Sequence, residues 1–261
     1  MELLIYLLLG AAAGVLSGMF GVGGGLIIVP LLIYVFTLQG VSQDVLTHLA
    51  VGTSLATIVF TSINSVIAHH RYGAVRWHAV LWLGVGIVGG SVAGGYTASF
   101  LSGVLLQKMI GGFAILVAIQ MFFQLQPSTH PDASPGRAFL GASGVLVGWG
   151  SALFGIGGGA MTVPLLSWRG FSMKHAVATS AACGLPIALS GSVSFIWIGL
   201  HADGLPPWSL GYVYLPALMG IGVTSMLFAR FGARLSHRLD PLLLKRLFSL
   251  LLLLVGINFL R

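Results

Sequence analysis

Ten apolar segments, separated by short polar breaks, run along the chain: 2–20, 25–38, 45–68, 77–101, 104–125, 138–154, 159–168, 174–199, 208–236 and 241–260. A helix needs about 20 predominantly apolar residues to cross a hydrocarbon core about 30 Å thick. Segments 25–38 and 159–168 are too short to cross alone as helices. The pattern therefore predicts an all-α integral membrane fold with about eight full spans and two short or re-entrant segments. The one sizeable polar break, QPSTHPDASPGR at 126–137, contains three prolines and reads as a linker between membrane halves 1–125 and 138–261.

The halves repeat each other. FGVGGGLIIVPLL at 20–32 recurs as FGIGGGAMTVPLL at 154–166, an offset of 134, and AVGTSLA at 50–56 recurs as AVATSAA at 176–182, an offset of 126. Each copy carries five segments. A period this long marks a duplicated membrane half, not a solenoid. Because five is odd, the second copy is expected to insert upside down relative to the first. Loop charges agree, since a Lys/Arg excess marks cytoplasmic loops. Arg71 and Arg76 lie between segments three and four, Arg169 and Lys174 between seven and eight, and Arg230, Arg234, Arg238, Lys245 and Arg246 around the junction of nine and ten. Placing these on the cytoplasmic face of a cell (inner) membrane puts the 126–137 linker there too. Asp44, His201, Asp203 and both termini then fall outside. The apolar N-terminus begins with Glu2 and has no basic n-region, so it is expected to be a retained first span and not a signal peptide.

Composition reinforces this reading. Of 261 residues, 57% are apolar and 7% charged, against about 25% charged in soluble domains. Twelve Lys/Arg against five Asp/Glu give +7. Loop topology accounts for that excess, and no nucleic-acid partner is expected. The single cysteine, Cys183, permits neither an intramolecular disulfide nor a multi-Cys metal site, and no cofactor is expected.

The chemistry gathers at the duplicated motifs. Gly21, Gly23, Gly24 and Gly25, like Gly155, Gly157, Gly158 and Gly159, interrupt apolar sequence shortly before Pro30 and Pro164. Each glycine costs a helix about 1 kcal/mol relative to Ala, so such runs break it. Inside the hydrocarbon, a break is tolerated only where it is buried in protein or lines water, and paired broken helices in two repeats point to a transporter's central site. Free N–H groups at the following half-helices favour an anion. Close packing of helices through small residues is the competing explanation. In the third segment Thr53, Thr57, Thr61 and Asn64 share a helical face, with Ser54 beside it. Their counterparts are Thr179, Cys183, Ile187 and Ser190, with Ser180 alongside. Neutral hydroxyls and an amide can donate to an oxyanion and still release it. Interhelical hydrogen bonding is the alternative role for them. All five acids lie in loops or at segment ends, which disfavours a cation carrier. If protons are coupled, His48 and His175, near the entrances of segments three and eight, are the available titrating groups.

Other patterns carry little weight. The GxGxxG at Gly84–Gly89 lies inside an apolar span with no strand before it, and His69, His70 and His78 lack a fixed ligand geometry. The GxSG at 141–144 spells an intramembrane serine-protease motif, but Ser143 would need a histidine base within reach.

With FG(V/I)GGG…VPLL twice, TS in each following span, and RYGAVRW at 71–77, the sequence resembles the sulfite exporter TauE/SafE family of membrane proteins over essentially its whole length. The resemblance implies movement of sulfite, sulfoacetate or related small organosulfur anions. It maps Gly21, Gly23, Gly24, Gly25, Pro30, Thr53 and Ser54, with Gly155, Gly157, Gly158, Gly159, Pro164, Thr179 and Ser180, onto the family's pattern. Cys183 and Ile187 depart from the first copy's Thr57 and Thr61, so the pocket is expected to be asymmetric. The expected function is a multi-pass secondary transporter of a small sulfur oxyanion working by alternating access. An anion channel and a serine hydrolase are the alternatives, and oligomeric state, a homodimer included, is left open.

Overall fold

The computed structural model describes residues 2–20, 24–123, 135–236 and 241–261. Ten helices occupy the ten apolar segments: α1 (Glu2–Phe20), α2 (Gly25–Leu38), α3 (Gln43–Arg71), α4 (Trp77–Ser99), α5 (Gly103–Phe122), α6 (Arg137–Phe154), α7 (Gly159–Trp168), α8 (Met173–Gly199), α9 (Leu215–Ser236) and α10 (Pro241–Leu260). Five of them, α3, α4, α5, α6 and α8, are long and apolar enough to cross a membrane. Apolar stretches also fill 4–16, 215–229 and 246–260 of α1, α9 and α10. With 14 and 10 residues, α2 and α7 make only about 21 and 15 Å of helix at 1.5 Å per residue. Most of the side chains of α2, from Leu26 to Phe36, are buried. The glycines Gly21 and Gly23, most of the linker, and Arg238 lie outside the described residues.

The surface is apolar and the centre carries the hydroxyls. Leu81, Val85, Leu116, Leu146, Leu227 and Leu254 are exposed, while Thr53, Ser54, Thr57, Thr162, Thr179 and Ser180 are buried. A soluble protein would reverse this arrangement, and lipid as the outer solvent explains it. The protein is a multi-pass integral membrane protein.

Helix directions follow from close glycine contacts. Gly10 and Gly14 of α1 lie against Ile221 and Ser225 of α9, so these helices run parallel. Gly144 and Gly148 of α6 lie against Leu83 and Ile87 of α4, also in parallel. The two pairings share one register: the glycines are related by the 134-residue offset of the FG(V/I)GGG repeat, and a Cβ at any of the four would run into the facing backbone. In contrast, α3 and α8 pack antiparallel, with Gly52 near Phe195, Leu55 near Gly191 and Ser62 near Gly184. Antiparallel packing of α5 on α10 brings Gly111 to Phe259 and Ile115 to Gly256. Small residues at each seam let backbones approach closely, the usual device where lipid supplies no hydrophobic drive between helices.

One expectation needs correction. The ninth apolar segment reads as continuous over 208–236 in the sequence, but α9 starts only at Leu215. Before it, Ser209–Leu210 (β1) and Val213–Tyr214 (β2) form a two-stranded antiparallel hairpin. Gly211 at φ 53° and Trp208 at φ 68° hold left-handed backbone that a helix cannot contain. Strands of two residues leave no periodicity in the sequence, so an apolar hairpin reads as helix.

Candidate functional site

The glycine runs do break the helices, and the described parts of the two breaks touch. Gly24 precedes α2 in left-handed conformation, φ 76°. Gly155 ends α6 in the same region, φ 67°, and Ile156, Gly157 and Gly158 lead into α7. A Cβ on Gly25 would sit 2.5 Å from the Gly155 carbonyl oxygen and 2.7 Å from Ile156 Cα, so the backbones meet where only glycine fits. Pro30 and Pro164 occupy the same place in the two short helices, five residues after Gly25 and Gly159.

The central helices α3 and α8 surround this junction. Ser54 Oγ donates to the Gly155 carbonyl at 2.8 Å, so the first copy's hydroxyl holds the second copy's break. Thr57 Oγ1 donates to the Ser54 carbonyl within α3 at 2.7 Å. Thr53 Oγ1 accepts the Tyr214 backbone N–H at 2.9 Å, immediately before α9. Across the molecule, Thr179 Oγ1 accepts the Arg76 backbone N–H at 3.2 Å, immediately before α4. The two threonines thus perform one task, each holding the entrance of the fourth helix of the opposite copy. Those entrances match as well: Gly73 at φ 62° and Gly211 at φ 53° stand three residues before Arg76 and Tyr214.

The second break differs. Ser180 Oγ and Thr162 Oγ1 are buried without a hydrogen-bond partner. Thr162 lies beside the break, its Oγ1 3.0 Å from where a Gly158 Cβ would stand, with Ile187 Cδ1 2.8 Å from the same point. Cys183 is fully buried nearby on α8. Gly157 and Gly158 are buried and Gly159 is half-buried at the helix start. Asn64 is half-buried but lies ten residues beyond Ser54, about 15 Å along α3, and is not gathered at the break.

Both histidines tie elements together. His48 Nε2 donates to the Ala98 carbonyl at 2.8 Å, and its ring packs on Tyr212 with centroids 5.2 Å apart. His175 Nδ1 donates to the Ala74 carbonyl at 2.8 Å, while its Nε2 lies 3.2 Å from Arg76 Nη2. A carbonyl can only accept, which fixes the proton on those ring nitrogens. The Arg76–His175 contact also brings the basic 71–76 and 169–175 loops to one end of the molecule. Ser143 Oγ donates to the Leu140 carbonyl one turn back at 3.1 Å.

Sequence reasoning missed Thr162 and the hairpin. Thr162 has no echo in the first copy, where Ile28 stands at the matching place. A signal for the hairpin was present, because YGAVRW at 72–77 is echoed by LGYVYL at 210–215, with Gly and Val in register.

A multi-pass helical membrane protein with a duplicated, glycine-built break at its centre has the construction of a membrane transporter. The chain belongs to the sulfite exporter TauE/SafE family, whose model matches residues 6–259. It is 38% identical to a probable membrane transporter protein of Haemophilus influenzae, over 98% of this chain and 97% of that protein. Similar proteins named probable membrane transporters occur in Methanocaldococcus jannaschii, 28% identical over 97% of this chain and 93% of the relative, and in Bacillus subtilis, 28% identical over 98% and 96%. No solved structure matches the chain significantly.

Proposed function

We propose that the protein is a secondary transporter that moves a small sulfur oxyanion, sulfite or a short organosulfonate such as sulfoacetate, by alternating access between two inverted halves, 1–125 and 138–261. The observation that carries this reading is the contact of the two glycine breaks, Gly25 against Gly155, between the hydroxyl-bearing helices α3 and α8. Breaks at a repeat interface are where transporters hold their cargo. Among the described residues around this one, the polar side chains are hydroxyls and a thiol, with no carboxylate, and backbone N–H groups stand beside them, which suits an anion.

Inversion is supported by helix direction. Matching helices that touch and run antiparallel, as α3 with α8 and α5 with α10 do, are related by an axis across their length, which lies in the membrane plane. The parallel pairs α1 with α9 and α4 with α6 are the two copies of one contact under that axis. Basic loops gathered at one end support a cytoplasmic face there, with the linker on that side and both termini outside.

The test is flux of radiolabelled sulfite and sulfoacetate in proteoliposomes. The expected result is saturable uptake with counterflow. Absence of flux for both anions would overturn the proposal, and unitary single-channel currents would convert the carrier into a channel. An accessibility assay that puts residues 126–137 outside the cell would overturn the orientation.

A further inference from the structure

We infer that the anion is held in the second repeat alone, by the hydroxyls of Thr162 and Ser180 at the start of α7, and that the first repeat's equivalent groups serve as a structural clasp. This rests on the transport reading above and specifies its site.

The ordinary behaviour of a hydroxyl on these helices is to bond a carbonyl one turn back. Thr37, Thr97, Ser190 and Thr224 each donate to the carbonyl four residues earlier, at 2.6–2.8 Å. Thr162 does not, although its own backbone N–H bonds the Gly158 carbonyl at 2.7 Å. Its Oγ1 is left without a partner and fully buried, and Ser180 Oγ is left likewise at 1% exposure. Two orphaned hydroxyls in a dry interior are costly unless a ligand accepts from them.

Thr162 Oγ1 borders a source of further donors. The N–H groups of Gly157, Gly158, Gly159 and Ala160 bond no backbone acceptor among the described residues. They stand at the N-terminus of a ten-residue helix, where the helix dipole favours negative charge. Gly158 has no Cβ, and one built there would stand 2.8 Å from Ile187 Cδ1, 3.0 Å from Thr162 Oγ1 and 3.8 Å from the Ser180 carbonyl oxygen, so the glycine brings its backbone close to these groups. Hydroxyl and N–H donors with no acid among them fit a small oxyanion. The Ile187 Cδ1 methyl borders the same point, and on this proposal it faces the part of the ligand that needs no hydrogen bond.

Among the described residues, the first repeat's hydroxyls are not left free in this way. Ser54, the counterpart of Ser180, already donates to Gly155. Thr57 donates within its own helix, and Ile28 stands where the second copy has Thr162. One anion per chain follows.

Equilibrium binding to the purified full-length protein tests the site independently of flux. The probes are sulfite, sulfate, methanesulfonate and acetate, with thermal unfolding as the control for folding. Thr162→Val and Ser180→Ala are each expected to weaken binding of the tightest probe about tenfold or more, the loss expected when a hydrogen bond to a charged group is removed. Thr162→Ser should retain affinity, and the stoichiometry should be one. Unchanged affinity in both variants, a stoichiometry of two, or no binding of any probe by the unaltered protein would each overturn the inference. If Thr162→Val fails to fold, Ser180→Ala decides the matter, since its hydroxyl has no partner to lose. Flux that persists with unaltered affinity in both variants would overturn the site and leave the transport reading intact. Binding without flux would do the reverse.

Discussion

The two glycine breaks share one sequence pattern, yet the hydroxyls of the two copies are held differently. At the first, the neighbouring hydroxyls are engaged: Ser54 holds the Gly155 carbonyl and Thr57 is tied to its own helix. At the second, Ser180 and Thr162 are buried and unengaged. Duplication supplies two similar sets of groups, which differ at three side chains: Thr162 against Ile28, Cys183 against Thr57 and Ile187 against Thr61. The threonines one position earlier show the opposite outcome. Thr53 and Thr179 kept a shared task, each accepting the N–H before the other copy's fourth helix.

The contrast can be broken most severely at the junction. Gly25→Val puts atoms into the Gly155 and Ile156 backbone, which cannot yield as a flexible side chain would. The expected loss is about 3 kcal/mol or more, read as a collapse of monodisperse protein in fluorescence-detected gel filtration. An unchanged elution profile would show that the breaks do not touch.

The threonine pair comes next. Thr53→Val removes the acceptor of a buried N–H and is expected to cost about 1–3 kcal/mol. Thr179→Val should cost less, since Arg76 is exposed and water can replace the lost acceptor. Thermal unfolding of the two variants side by side measures this, and equal shifts would mean that the two entrances are equally dry.

Smallest is the serine pair. Ser54→Ala should lower stability by about 1 kcal/mol through its lost bond to Gly155. Without ligand, Ser180→Ala should be neutral or slightly stabilising, because it removes an unpaired buried group. A larger loss for Ser180→Ala than for Ser54→Ala would reverse the roles assigned to the two copies.

Much of this fold is legible in the amino-acid sequence. The bounds of α2, α6 and α7 fall within a residue of the apolar segments that predicted them, because glycine runs and polar breaks punctuate helices locally. Duplication was equally plain, since it is a property of residue order. The hairpin at 209–214 escaped, because Leu210, Val213 and Tyr214 look like any other apolar residues until Gly211 turns the chain.

What residue order could not show is which hydroxyls remain free. Thr53 and Ser54 are adjacent and chemically alike, yet one accepts from Tyr214, 161 residues away, and the other donates to Gly155, 101 residues away. A hydrogen bond depends on what packing brings within about 3 Å, and in a ten-helix bundle that partner is seldom a sequence neighbour. Sequence alone determined a duplicated membrane protein with two glycine breaks and hydroxyls beside them. Tertiary structure decided that Ser54 and Thr57 find partners while Ser180 and Thr162 do not, because only packing assigns partners to buried polar groups.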